Sequence, residues 1–128
     1  MKISSILNSK VNTIVANDTI NKALEIMNAM KINGMPVVND DNTLVGMIVK
    51  ADIYRFLIQP GHYDSCPVEW VMSNSVITAE ADEDILIVAK RLRDNNIVAM
   101  PVLENEQVVG IISLEYLLDY FISKETQD

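Results

Sequence analysis

The sequence predicts a mixed α/β protein of two β-α-β-β-α repeats, packed sheet to sheet with pseudo-two-fold symmetry. Three observations predict it. The chain matches itself at a shift of 65 positions, each half holds an apolar stripe of helical period, and each half holds short, continuously apolar runs bounded by polar turns. The shift sets Ile3 on Val68, Ile6 on Val71, Leu7 on Met72, Thr13 on Thr78, Ala16 on Ala81 and Ile20 on Ile85. It also sets Met35-Pro36-Val37 on Met100-Pro101-Val102 and, after the second copy loses one residue, Val45-Gly46-Met47-Ile48 on Val109-Gly110-Ile111-Ile112. Chance supplies scattered Ile/Val matches but rarely Met-Pro-Val and Val-Gly in one order and register.

Each copy then reads in the same order. A short extended piece, residues 13–16 or 76–80, leads into a polar turn, Asn17-Asp18-Thr19 or Asp82-Glu83-Asp84, which caps a helix and sets acid at its positive end. The helix buries positions 20, 23, 24 and 27, or 85, 88, 89 and 92, an i, i+3, i+4, i+7 stripe. Pro36 and Pro101 are expected at the first position of the next strand, where a missing N–H is tolerated. Residues 44–49 and 108–112 form a second strand in each copy, and their unbroken apolar character predicts that both faces are covered. A closing helix, residues 51–58 or 114–123, offers Ile53, Phe56 and Leu57, or Leu117, Leu118 and Phe121, for burial. The organisation expected is repeat 1 over 1–58, a linker over 59–67, repeat 2 over 68–123 and a tail over 124–128. A unit this small buries too little surface to stand alone, so the two are expected to share a core.

Composition narrows the function. The 128 residues are 49% apolar and 22% charged, a balance that folds. A net charge of −8 and 5% aromatic residues argue against nucleic acid as a partner, because phosphate backbones are repelled and base-stacking surface is scarce. The opening residues lack the apolar core of a signal peptide, and no apolar run outlasts residues 44–49, so the expectation is a cytoplasmic protein with no membrane contact. Cys66 is the one cysteine, which excludes an internal disulfide and a multi-thiolate metal site. With His62 and Asp64 it lies in the Pro/Gly-bounded linker. That setting lacks the further ligands zinc wants and the rigid orienting group a nucleophile wants, so no metal and no catalytic residue are expected. The seven methionines are read as core fillers, Trp70 as an anchor for the opening of the second copy, and the acidic run 80–84 as a solvated helix start.

The doubled Met-Pro-Val and Val-Gly strands, with Val68-Glu69-Trp70-Val71-Met72-Ser73 opening the second copy, resemble the tandem CBS-domain pair, or Bateman module, over nearly the whole chain. The resemblance implies a regulator and not an enzyme. It implies an adenosine-containing ligand (AMP, ADP, ATP or S-adenosylmethionine) in the clefts between repeats, no required cofactor, a homodimer in the form of a four-repeat disc, and an unidentified protein effector. In that family a glycine strand followed by Ser/Thr-x-x-Asp supplies a hydroxyl beside phosphate and a carboxylate for the ribose. Here the motif is split: Val49-Lys50-Ala51-Asp52 keeps the acid and loses the hydroxyl, and Ser113-Leu114-Glu115-Tyr116 keeps the hydroxyl and loses the acid. Carried over, Asp52 and Lys50 are completed by Val76, Ile77, Ile97 and Val98, with Gly34 nearby. Ser113 and Tyr116 are completed by Val11, Asn12, Ile32 and Asn33, with Ala99 nearby. Lys50 is then placed to meet a phosphate, and Tyr116 to stack on a base or cover an empty cleft. The alternative implied by the split motif is a dimerisation or interaction module without ligand. Ile53, Phe56, Leu57 and their counterparts exceed what one small face needs, so some of that apolar surface is expected between modules in a homodimer.

Overall fold

Both halves of the chain build a three-stranded sheet with two helices in this computed structural model, which describes residues 1–7 and 11–126. The first half carries β1 (Ile14–Val15), α1 (Ile20–Met30), β2 (Gly34–Val38), β3 (Leu44–Val49) and α2 (Lys50–Leu57). The second carries β4 (Ala79–Glu80), α3 (Ile85–Asp94), β5 (Ala99–Glu104), β6 (Gln107–Ser113) and α4 (Leu114–Thr126). In each sheet the middle strand pairs parallel with the short one and antiparallel with the long one, and the ladder slips at the same place, between Val37 and Val38 and between Val102 and Leu103. The fold is therefore the mixed α/β repeat that the pattern predicts. Residues 8–10 of the opening segment and 127–128 of the expected tail lie outside the described residues.

The packing units differ from the repeats read along the chain. One unit joins Met1–Val11 to Ile77–Asp128, and the other is Asn12–Val76. The opening segment of each copy thus packs with the sheet of the other. In the first unit a 3-10 turn at Ile3–Ser5 sets Ile3, fully buried, among Ala79, Val88, Leu92, Met100, Val102 and Ile112. Its backbone is held at 3.0 Å from Ile3 N to Glu83 O, 3.0 Å from Ser4 N to Ala81 O and 2.8 Å from Ile85 N to Met1 O. The second unit repeats this arrangement. A 3-10 turn at Val68–Trp70 buries Val68 among Ile14, Ile20, Met27, Met35, Val37, Ile48 and Ile53. There Val68 N donates to Asp18 O at 2.8 Å, Glu69 N to Ala16 O at 2.9 Å and Ile20 N to Cys66 O at 2.9 Å.

Helix signals translate directly. Thr19 accepts from Lys22 N and Asp84 from Leu86 N as N-caps. Both stripes are buried at 20, 23 and 27 and at 85, 88 and 92, with Leu24 and Ala89 half-buried. Lys31 and Asn96 stop the helices with φ 58° each, and the next amide reaches back to Met27 O and Leu92 O.

Several expectations need correction. Pro36 and Pro101 are third in their strands. Pro36 is tolerated because Met47 opposite it donates its N–H to Ser73 O at 3.0 Å and accepts Ser73 N–H at 2.8 Å, and β1 starts pairing only at Val37, so no ladder bond is lost. The strands β3 and β6 are buried on one face only. Gly46 and Ile48, and Val108, Gly110 and Ile112, are buried, while the residues between them are half-buried. Gly46 is close to obligatory, since a Cβ there would stand 2.7 Å from Ser73 O. Trp70 is 63% exposed, because the 3-10 turn that buries Val68 turns the indole outward. Helix α4 runs to Thr126, past the expected end at 123; it buries Leu117 but leaves Leu118 and Ile122 largely exposed and Phe121 partly so, because one row of the helix faces the sheet. Met27, Met35 and Met100 fill cores as expected, whereas Met1 and Met30 are exposed.

The acidic run is not simply solvated. Glu83 takes both guanidinium nitrogens of Arg91, at 2.7 and 2.5 Å, while Arg91 also donates to Thr78 O and Glu83 accepts Glu80 N–H at 2.8 Å. The Arg91 hydrogen bond lowers the Glu83 carboxyl from its ordinary 4.5 to about 2. A depressed folded-state pKa stabilises the fold above the unfolded value and loses that contribution as pH falls through the folded one. Both side chains are about a quarter exposed, so screening reduces the linkage to roughly 1–2 kcal/mol. Glu83→Gln is expected to lower stability by that amount at neutral pH in urea unfolding, with the difference from the native chain shrinking from pH 4.5 towards pH 2. Ile3→Ala is expected to cost about 2–5 kcal/mol by the same measurement, as much as a mid-core residue, although Ile3 stands at the far end of the chain from its neighbours.

Candidate functional site

In each half a strand runs into a helix with no loop between them: β3 ends at Val49 and α2 begins at Lys50, and β6 ends at Ser113 and α4 begins at Leu114. The junction is pinned by the neighbouring strand. Gly34 pairs with Val49, and Lys50 N donates to Asn33 O at 2.8 Å; Ala99 pairs with Ser113, and Leu114 N donates to Val98 O at 2.9 Å. Within one unit these bonds bring Ile32 and Asn33 beside Lys50 and the first turn of α2, which carries Asp52. Within the other they bring Ile97 and Val98 beside Ser113 and the first turn of α4, which carries Tyr116. Asn12 and Val76 belong to the unit of Asp52, and Val11 and Ile77 to that of Ser113, so the two boundaries between units fall within the residue pairs 11–12 and 76–77.

The two junctions share a backbone and differ in chemistry. At α4, Ser113 Oγ accepts Tyr116 N–H at 3.0 Å, a side-chain N-cap. At α2, Val49 provides no side-chain cap. Asp52, about a third exposed, forms an ion pair with Arg55 one turn on, and Lys50 precedes it half-buried. The positions of α4 that correspond to Lys50, Asp52 and Arg55 carry Leu114, Tyr116 and Asp119, with Glu115 between them. One junction therefore presents two cations around a carboxylate, and the other a hydroxyl, a phenol and two acids.

The remaining expected residues are placed as follows. Val98 is 72% and Ile77 38% exposed, Asn33 is exposed, and Val11, Asn12, Ile32, Val76 and Ile97 are half-buried. Tyr116 is half-buried against the core that holds Ile3, and it lines an open hollow of about 300 Å³ with Ile6, Asp119, Tyr120 and Ser123. Arg55 was not foreseen at this site, although Asp-x-x-Arg at helical spacing was legible as an ion pair. Ile6 beside Tyr116 was not legible, because more than a hundred positions separate them in sequence. In the linker the His62 ring stacks on Phe56 at 3.9 Å and 9°, with Nδ1 2.9 Å from Phe56 O, and Asp64 O accepts Asn21 N–H at 2.8 Å. The linker is thus tied to the first half rather than loose. Among the described residues no group of three or more His, Cys, Asp or Glu side chains could hold a metal ion, and no helix is long and apolar enough to cross a membrane.

These features define a duplicated α/β module with one strand-to-helix junction per repeat. The CBS domain profile matches twice, over residues 3–59 and 68–123, and the chain belongs to that family. It is similar to homoserine O-acetyltransferase of Methanococcus vannielii, 32% identical over 114 residues that make up 88% of this chain and 23% of that protein. The chain thus spans about a quarter of the length of that relative. A solved CBS domain pair in complex with 5′-methylthioadenosine and S-adenosyl-L-methionine is 32% identical, with 97% of this chain and 98% of that chain covered at a TM-score of 0.84. The AMP complex of CBSX2, 18% identical, shares the fold over 97% of this chain and 98% of that chain at a TM-score of 0.86.

The Ser113 cap gives a direct test. Ser113→Ala is expected to cost about 1 kcal/mol in chemical unfolding, and Ser113→Thr much less, since the threonine hydroxyl restores the acceptor for Tyr116 N–H.

Proposed function

We propose that this chain is a regulatory module that takes an adenosine-containing ligand (AMP, ADP, ATP or S-adenosylmethionine) and reports its presence to a protein effector. The observation that carries this reading is the alignment of almost the whole chain with a CBS pair solved with two adenosine derivatives. Asp52 and Ser113 stand at the two helix starts where the family motif places its polar groups. Asp52 would accept from ribose hydroxyls, with Lys50 near a phosphate and Val76 of the same unit supplying backbone contact to the base. Ser113 and Tyr116, with Val11 of their unit, would serve a second ligand in the same way. Binding would act by shifting a population, which it can do only through unequal affinity for two states.

The reading is of a regulator and not an enzyme, because neither junction sets a nucleophile beside a base and an orienting group. No cofactor is required by it. A homodimer fits the exposed Leu118, Phe121 and Ile122 of α4. A cytoplasmic setting, without nucleic acid or membrane as partner, fits the acidic chain. A second reading, a ligand-free interaction module, is favoured by the Asp52–Arg55 pair, which engages one oxygen of the carboxylate a ribose would need.

Thermal melts separate the two. A ligand at 100 times its dissociation constant is expected to add about 2.7 kcal/mol, several degrees in Tm for a chain of this size. Asp52→Ala is expected to weaken that binding about tenfold or more, the worth of a hydrogen bond to a charged group. No shift with any of the four ligands at millimolar concentration would leave the ligand-free reading in its place.

A further inference from the structure

We infer that Arg55 makes the Asp52 junction selective for adenosine 5′-phosphates over adenosines whose 5′ substituent is neutral or cationic. The inference deepens the proposed function and rests on it. Three observations lead there. Arg55 pairs with Oδ1 of Asp52 within one turn of α2, so a ribose diol that takes both carboxylate oxygens competes with this pair. Lys50 begins the same helix, and no side chain caps it at Val49, so the helix start adds its own positive end. The corresponding junction at α4 carries Glu115 and Asp119 where α2 carries Ala51 and Arg55, and its Ser113 hydroxyl is engaged by Tyr116 N–H.

The selectivity follows from what the displaced guanidinium gains. A ligand with a 5′-phosphate gives Arg55 a new anionic partner in place of Asp52, and a bidentate arginine–phosphate contact is among the stronger charge-assisted bonds. A 5′-thioether gives it nothing, so the lost ion pair is uncompensated. The 5′ substituent of S-adenosylmethionine carries a sulfonium and an ammonium against one carboxylate, a net positive charge beside two cations. The order expected at this junction is AMP, then 5′-methylthioadenosine, then S-adenosylmethionine. Arg55 thereby sets specificity through the state of Asp52 as well as through its own charge.

Calorimetric titration of the full chain and of Arg55→Gln and Arg55→Lys, with AMP and with 5′-methylthioadenosine as probes, tests this. Arg55→Gln frees the carboxylate, so affinity for 5′-methylthioadenosine is expected to rise about 1.5- to 5-fold, the worth of an exposed ion pair. In the same variant affinity for AMP is expected to fall about 3- to 10-fold and to lose part of its salt dependence. Arg55→Lys retains the charge and is expected to recover most of the AMP affinity. In an Asp52→Ala background the gain for 5′-methylthioadenosine is expected to vanish, since no carboxylate remains to be freed. Parallel changes for the two ligands, or a gain that persists without Asp52, would overturn the role of Arg55 while leaving ligand binding intact. Failure of the unaltered chain to bind either probe would instead remove this inference, and failure with ADP, ATP and S-adenosylmethionine as well would remove the proposed function.

Discussion

Everything else in this structure depends on an exchange of short segments between the two halves of the chain. Each sheet with its two helices leaves one central position of its core unfilled, and the filling side chain comes from the opening of the other copy: Ile3 for the second half, Val68 for the first. Burying a side chain of that size stabilises a unit by about 1.5–3 kcal/mol. The backbone bonds around it also satisfy the turn before α1 or α3. In a unit of this size such terms decide whether a fold persists, because so small a domain holds only a few kcal/mol in reserve. The first unit is discontinuous, with the whole of the second in the loop that closes it. Since closure entropy rises only with the logarithm of loop length, that long detour is tolerated.

The exchange is made by main-chain atoms, and that explains how the duplication persisted while side chains diverged. The three bonds that seat Ile3 recur at a shift of 65 around Val68, and the bond that starts α2 recurs at α4. None of them depends on which side chain the residue carries. Glu83–Arg91 shows the opposite behaviour: the matching positions are Asp18 and Ile26, and Asp18 pairs with Lys22 instead. Backbone geometry therefore supplies two equivalent platforms, and side chains are free to make each platform different at little cost to folding.

The same division between backbone and side chain governs what could be read in advance. Repeat, helix stripes, N-caps and strand order were legible because they depend on period and local chemistry: Thr19, Asp84 and the stripe from Ile20 to Met27 follow from neighbours within a few positions. The placement of Ile3 was not legible, since nothing local distinguishes an isoleucine that packs on its own repeat from one that packs on the other. Pro36 and Pro101 misled for a related reason. Their tolerance inside a strand depends on a short parallel neighbour that starts one residue later and, for Pro36, on Met47 pairing with Ser73 on its far side, neither of which has a composition. The unbroken apolar run in β3 suggested two covered faces, yet periodicity does not separate a buried face from a half-buried one. At the candidate site the two helix starts that carry Asp52 and Ser113 were legible from a motif. Arg55 was overlooked because an exposed i, i+3 pair reads as ordinary surface.

Two like platforms with unlike side chains have a consequence for regulation. Were both junctions to bind one ligand with equal affinity, occupancy would rise as a single transition and report a single concentration. On the proposed function, the cationic start of α2 and the acidic start of α4 would instead give a charged ligand unequal affinities, because a nearby charge changes binding by its sign as well as its distance. An anionic and a cationic adenosine would then prefer different junctions. A module so divided would respond to the ratio of two ligands, provided each shifts the equilibrium by its own differential affinity. The asymmetry that makes the motif look degenerate, a missing hydroxyl at Val49 and a missing acid at Tyr116, is the feature that would let one small chain discriminate between the charge states of ligands sharing a common nucleoside.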